Sequence, residues 1–277
     1  NAETNGATIY SGGIFGRIYR THVNGLYYIG SESNQDSINS LGHEDPATAF
    51  CGGIIGYVKN NNNTGTAISI ENTKIENAKV YIGATVTNRV DSQPDVYIGG
   101  IIGSTFNDAQ AGTVTINNAK VLNTQVLAEG NEHVMIFVGG VMGNTCWAGT
   151  ANINNAYVVG CTIESHLYVS MNVPDDPRIN SCAAGIMGRT TATSNIRYCA
   201  VIDTNIIATY NNTFNNDTAV VAASGIHGER DGTPTVNITN CYSNATIKST
   251  YKTTTENRNG NCFGISDSSL NGTVSNS

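Results

Sequence analysis

Charge is scarce in this sequence. Asp, Glu, Lys and Arg make up 13% of its 277 residues, and the net charge is −7. The 14 Lys and Arg form no basic run, which argues against nucleic acid or an anionic membrane as a partner. No apolar run is long enough to span a bilayer, so no membrane insertion of this segment is expected. The opening residues Asn1-Ala2-Glu3-Thr4 are polar at once; an exported form would have lost its leader or carry it outside this sequence. Seven cysteines make no Cys-x-x-Cys pair. Five histidines, His22, His43, His133, His166 and His227, include no two at metal-ligand spacing. No apolar stripe of helical period lasts beyond two turns.

What is present is a repeat. Gly13, Gly53, Gly100, Gly140, Gly185, Gly225 and Gly264 follow one another at 40, 47, 40, 45, 40 and 39 residues. An aliphatic residue follows each: Ile14, Ile54, Ile101, Val141, Ile186, Ile226 and Ile265. Another glycine stands three places on in every copy but the last, which has Asp267. Three places before sits an aromatic in four copies, Tyr10, Phe50, Tyr97 and Phe137, then Cys182 and Ala222. A fixed period of this length signals stacked structural repeats.

A second element aligns as Ile75 to Val80, Ile116 to Val121, Ile153 to Val158, Ile196 to Val201 and Ile238 to Ser243. A third apolar spot follows at Val86, Val126, Ile163, Ile206 and Ile247. The spacing is nearer period 2 than 3.6, so these are short strands between Asn, Thr, Ser and Gly corners. The expected fold is all-β: a right-handed parallel β-helix, a β-solenoid of about seven coils, roughly 40 residues each, with three short strands per coil. Equivalent residues then stack in columns, and each column admits one size of side chain.

The segments Gly52 to Gly56, Gly99 to Gly103 and Gly139 to Gly143, with Gly112-Thr113-Val114 and Asn240 to Ser243, resemble the GLUG-motif repeat family. The resemblance runs over nearly the whole chain. It implies a bacterial protein, secreted or on the cell surface, of right-handed β-helix shape and often part of a larger adhesin-like or protease chain. It supplies no common catalytic residues. The present copies are longer than is typical of the family, so extra loops are expected.

The uninterrupted repeat implies one domain over residues 1–277, with an irregular first coil at 1–49. Val23 to Gly30 reads as a degenerate coil, and Ser31 to Pro46 as a polar loop. Longer loops are expected at Lys59 to Thr66, Asn88 to Asp95, Ser170 to Asn180, Tyr210 to Asp217 and Lys252 to Asn261, where a binding face would lie. Leu270 to Ser275 resembles Ala111 to Ile116, so the sequence stops as a further coil begins. A bare strand edge there calls for further chain or a partner as a cap.

No residue stands out as catalytic, cofactor-binding or metal-binding, and no cofactor is expected. His43-Glu44 opens like a zinc-protease motif, but Ala47 holds the second histidine's place. His227 interrupts the column of Phe15, Ile55, Ile102, Met142 and Met187, which marks either a site or a wetter last coil. Asp175 with Asp176, Asp91 with Asp95, and Glu229 with Asp231 read as solvated loop acids. A glycosidase needs two carboxylates facing one bond. Gly-Ile-His-Gly plus an acid pair resembles pectin-degrading hydrolases, but their Arg-x-Lys partner is missing.

Cys51 and Cys262 share one repeat position, Cys199 and Cys241 another; all read as small buried hydrophobes, and a Cys199–Cys241 disulfide is left open. Asn237, Asn244 and Asn271 head glycosylation-like triplets but read as corner residues. The aromatic column of Tyr10, Phe50, Tyr97 and Phe137 reads as core if it faces inward, the favoured reading, and as a stacking surface for sugar rings if it faces outward. The expected function is therefore non-catalytic: an adhesin-like surface solenoid that binds glycans or a host or cell-surface protein through its loops. A polysaccharide lyase or hydrolase, or a structural spacer, are the alternatives.

Overall fold

One period shows how the chain turns. Five strands follow in order: Asp95–Gly99, Ile102–Asn107, Thr113–Asn117, Lys120–Leu122 and Gln125–Asn131. Met135–Gly139 then starts the next period. Each strand pairs in parallel with its counterpart one period away, as Tyr97 with Phe137, Ile102 with Met142 and Ile116 with Ile153. The five strand positions build five sheets, called here the glycine, return, ladder, short and long sheets. The computed structural model describes residues 2–4, 8–19, 21–31, 36–43, 48–60, 67–85, 95–107, 112–132, 134–146, 149–170, 179–213, 219–254, 257–266 and 272–276. Among these the fold is all-β, with parallel sheets stacked in register. The one antiparallel pair among the described strands joins Thr246–Lys252 to Asn257–Asn259 at one edge of the long sheet.

The glycine column stacks as the spacing demands. A Cβ built on Gly13, Gly53, Gly100, Gly140, Gly185 or Gly225 would lie 2.0–2.4 Å from the carbonyl oxygen of the next glycine in the series. Only glycine allows that approach. The aliphatic residue after each glycine carries a hydrogen-bond ladder: Ile54 N–H to Ile101 O, Ile101 to Val141, Val141 to Ile186, Ile186 to Ile226 and Ile226 to Ile265, at 2.9–3.1 Å. These aliphatic side chains from Ile54 to Ile226 are buried in the main core.

Five sheets replace the three strands per coil expected from the sequence. Two corners per period account for the difference. Asn72, Asn118, Asn155, Tyr198 and Asn240 hold φ of 51–56°, and Asn77, Asn123, Gly160 and Asp203, five residues later, hold 45–64°. This left-handed backbone suits Asn and Gly and cuts the Asn-rich segment into two strands. A small residue follows each corner and faces the core: Ala119, Ala156, Cys161, Cys199 or Thr204. At Thr124, Cys161, Cys199, Thr204 and Cys241 the hydroxyl or thiol donates to the carbonyl two residues back, as Thr124 to Leu122 at 2.8 Å and Cys199 to Arg197 at 3.3 Å, whereas Thr73 does not.

The expected register was also off by one corner. Ile70 pairs with Ile116, Ile75 with Val121 and Val80 with Val126, so the partner of Ile116 to Val121 is Ile70 to Ile75. Val80 therefore takes the column given to Val86, which lies outside the described residues. The expected loop at Ser31 to Pro46 contains a strand, Asp36–His43, paired on both sides with Ala2–Thr4 and Ala78–Thr85. Two flanking strands satisfy its backbone, so its polar composition does not prevent it. Val23–Asn24 and Tyr27–Ile29 join the ladder and short sheets in register. Val274 stacks beside Ile238, the place of Ile116 in its own period. Residues 61–66, 88–94, 171–178, 214–218 and 255–256, in the expected loops, lie outside the described residues. Tyr210 does not open a loop, because its strand runs on as Asn205–Asn212.

Tyr198 is the one bulky residue in the first corner column, with φ 55° and an exposed ring. A left-handed backbone costs a non-glycine residue on the order of 1–2 kcal/mol, less for Asn. Tyr198→Asn is expected to raise stability by about 1 kcal/mol, read as a higher denaturant midpoint. No change would show that the corner carries no strain.

Candidate functional site

The short sheet turns one face to solvent. Its outward column reads Tyr27, Lys74, Lys120, Tyr157, Ala200 and Tyr242, each paired in register with the next. The alternate residues Ile75, Val121 and Val158 are buried in the core, so strand pleating sends the column outward. Tyr27 is 59% exposed and Tyr157 41%. Beside the column runs the first corner, where Asn118 donates to Asn72 at 3.1 Å and Asn72 donates to Asn24 at 2.9 Å. Tyr27, Lys74, Lys120 and Tyr157 of the column, with Asn72, Asn118 and Asn155 of the corner, line a groove of about 390 Å³ that runs across the strands. Lys74 pairs with Glu76 at 2.5 Å, while Lys120 makes no ion pair among the described residues. Thr73 also lines the groove, and its buried Oγ1 has no hydrogen-bond partner among the described residues.

The aromatic column is buried, but in a second cluster apart from the main core. Tyr97 alternates with Val96 and Ile98, which face the interior, so Tyr97 faces away from it. Tyr10, Phe50, Tyr97 and Phe137 stack at ring spacings of 5.5 Å. Tyr57, from the return sheet, leans on Phe50 at 4.7 Å. The glycine and return sheets thus close on each other across their outer faces. At Cys182 and Ala222 the stack runs out of rings, and Arg189 fills the gap. Its guanidinium lies 4.4 Å from the Phe137 centroid, donates to Tyr97 Oη at 2.9 Å and meets Asp231 at 2.6 Å. Tyr97 donates in turn to Asp95 at 2.6 Å. Burial alone would lower the Arg189 pKa, but Tyr97, Glu229, Asp231 and Asp95 more than offset this and raise it. Asp95, Glu229 and Asp231, read from sequence as solvated loop acids, therefore converge on one cation. Glu229 also accepts from Asn180 at 2.9 Å.

The sequence reading missed a third group. On the outer face of the long sheet, Glu129 and Glu164 stand on neighbouring strands, with His166 directly beside Glu129 in the pairing. Tyr81 donates to Glu129 at 2.9 Å, and burial followed by this carboxylate pushes its hydroxyl up to about 12. Glu164 accepts from Gln125 at 2.7 Å and lies 3.6 Å from His166. Its pKa is lowered, chiefly by His166. Neither carboxylate occupies a fixed position in the repeat motifs, so no periodicity announced them. Glu129 borders a shallow hollow of about 250 Å³ with Tyr81 and Tyr168.

His227 does sit in the column of Phe15, Ile55, Ile102, Met142 and Met187. It is only 1% exposed and shares a hydrogen bond with Ser266, so it closes the column in a buried position rather than a wet one. His22 Nδ1 accepts the Ser69 backbone N–H at 3.0 Å. Cys51 and Cys262 share one column. Cys199 and Cys241 are in register in adjacent periods and no disulfide joins them. The Cys199 thiol is pushed well up by its hydrogen bond to Cys241 and by burial. Asn237 is no corner residue: it donates to Asn195, which donates to Asn152, along the outer face of the ladder sheet. Asn244 does serve a corner, accepting from the Asp203 N–H. Asp91, Asp175, Asp176, His133 and Asn271 lie outside the described residues. Among the described residues no helix is long and apolar enough to cross a membrane.

No family model matches the sequence, no curated protein matches it, and no solved structure matches the fold.

Proposed function

We propose that this chain is a right-handed parallel β-helix of about seven coils, secreted by or displayed on a bacterium, that binds glycan without catalysing a reaction. The hand follows from the near-universal right-handedness of parallel crossovers, and the setting from the resemblance to the GLUG-motif repeats. The observation that carries the binding reading is the groove of Tyr27, Lys74, Lys120 and Tyr157, an outward column of rings and donors along a stiff solenoid. Exposed tyrosines offer flat apolar faces with a polar tip, a surface suited to sugar rings. The binding surface thus lies on a sheet face rather than on the loops named from the sequence. A screen of immobilised polysaccharides against the whole chain tests this: binding that drops at least tenfold in Tyr27→Ala/Tyr157→Ala is expected. Undiminished binding would move the site elsewhere, and no binding to any polysaccharide would remove the reading.

The neighbouring Glu129 and Glu164 favour a second reading, a polysaccharide-cleaving enzyme, since such catalysis needs two carboxylates on one substrate. Its weakness is chemical. The acid of such a pair needs a raised pKa, whereas that of Glu164 is lowered and Glu129 is engaged by Tyr81. Reducing ends released from a bound polysaccharide, and lost in Glu164→Gln, would decide for the enzyme.

A further inference from the structure

The short-sheet groove holds positive charge where the chain as a whole is negative. Lys74 and Lys120 are direct neighbours in the parallel ladder. Like charges side by side on a sheet are destabilising, and the chain has only 14 basic residues against a net charge of −7. Glu76 neutralises Lys74 at 2.5 Å, which leaves the Lys120 ammonium facing solvent unneutralised. Tyr27 and Tyr157 bracket the two lysines, three coil steps apart, which at strand spacing is about 14 Å. Between them the groove offers the amides of Asn72, Asn118 and Asn155 and the unpartnered Oγ1 of Thr73.

From this juxtaposition we infer that the groove takes an anionic polysaccharide. Its carboxylate or sulfate groups sit on the Lys74–Lys120 pair, and its sugar rings lie against Tyr27 and Tyr157. The inference rests on the glycan reading above and adds the class of glycan. A lysine ammonium is a compact charge that accepts either anion without a fixed geometry, so both anions share one site chemistry. The groove runs across the strands, from the edge strand Tyr27–Ile29 into a sheet of six strands. Among the described residues that edge crosses the end of the groove rather than following its length, so an extended peptide lying along the groove finds no strand edge to pair with. The amides of Asn72, Asn118 and Asn155, one per period, and the hydroxyls of Tyr27, Thr73 and Tyr157 instead suit a polymer of hydroxyl-bearing rings.

The test uses the whole chain with heparin as the sulfate probe, polygalacturonate as the carboxylate probe, dextran as the neutral one and polyglutamate as the peptide one. Binding to heparin, polygalacturonate or both is expected, weakening as ionic strength rises. It should fall at least tenfold in Lys74→Gln/Lys120→Gln and also in Tyr27→Ala/Tyr157→Ala. Dextran binding equal to that of both anionic polymers, and unchanged in the lysine variant, overturns the anionic class while leaving the glycan reading standing. Polyglutamate binding that needs the lysines but not the tyrosines overturns it in favour of an acidic protein. Binding of no polysaccharide overturns both. The lysine side chains face solvent, so the variants are expected to fold; an unchanged denaturation midpoint checks this.

Discussion

Gly100→Ala is expected to destabilise the protein by on the order of 4 kcal/mol, among the largest losses a single methyl can cause. The added Cβ would lie 2.2 Å from the Gly140 carbonyl oxygen and 2.9 Å from Val121 Cγ1. The closer obstacle is backbone, so it cannot rotate away. The stacked strands must separate, and separation stretches the bond from Gly100 N–H to Gly140 O, now 3.1 Å. In-register stacking transmits such a defect to the nearest neighbours, because each repeat is held mainly by the two beside it. The built-in control is Gly264→Ala at the end of the same column, where a Cβ would meet nothing within 4 Å. That variant is expected to stay within about 0.5 kcal/mol of the parent. Equal denaturant midpoints for the two variants would sink the stacked-column account.

Arg189→Ala is expected to cost about 3 kcal/mol, the usual scale for removing one partner of a buried ion pair. Arg189 is 7% exposed, and its loss leaves Tyr97, Asp95 and Glu229 in a cleft without their cation. It also uncovers the face of Phe137, where the guanidinium lies 4.4 Å from the ring centroid. Asp231 is about half exposed and recovers water, which limits the loss on that side. Arg189→Lys is expected to restore less than half, since one ammonium cannot reach Tyr97 and Asp231 while covering a ring. Urea unfolding followed by tyrosine fluorescence measures both. Full recovery with Lys would mean that net charge alone matters there.

The repeat made much of this fold legible in advance. The glycine column, the aliphatic ladder beside it, the pairing of Cys199 with Cys241 and the place of His227 all follow from spacing, because parallel in-register stacking puts equal positions side by side. The Asn-rich segment shows where spacing fails. Ile70-Glu71-Asn72-Thr73-Lys74-Ile75-Glu76-Asn77-Ala78-Lys79-Val80 contains two near-copies of one phrase, Ile-Glu-Asn-Thr-Lys and Ile-Glu-Asn-Ala-Lys. By residue type the second is the better match to Ile116 to Val121, since Ala78 and Val80 agree with Ala119 and Val121 where Thr73 and Ile75 do not. Choosing Ile75 to Val80 places Lys79 beside Lys120 and leaves Ala67–Glu71 without a partner. The folded chain pairs Lys74 with Lys120 instead, which keeps every strand of the period hydrogen-bonded. The candidate groove depends on that choice, so the sequence pattern alone did not reveal it.

By itself, then, the sequence determined the period, the parallel stacking and the residues that form the main columns, since these depend on local backbone freedom and side-chain size. Only the tertiary structure decided which face each column occupies. The aromatic stack alternates correctly for an outward face, yet it is buried because the glycine and return sheets fold toward each other. Lys74, Lys120, Tyr27 and Tyr157 come together through the register of four separate periods, and Arg189 gathers its acids the same way. Contacts between periods rest on summed pairing energy along whole strands, a quantity no single repeat unit displays.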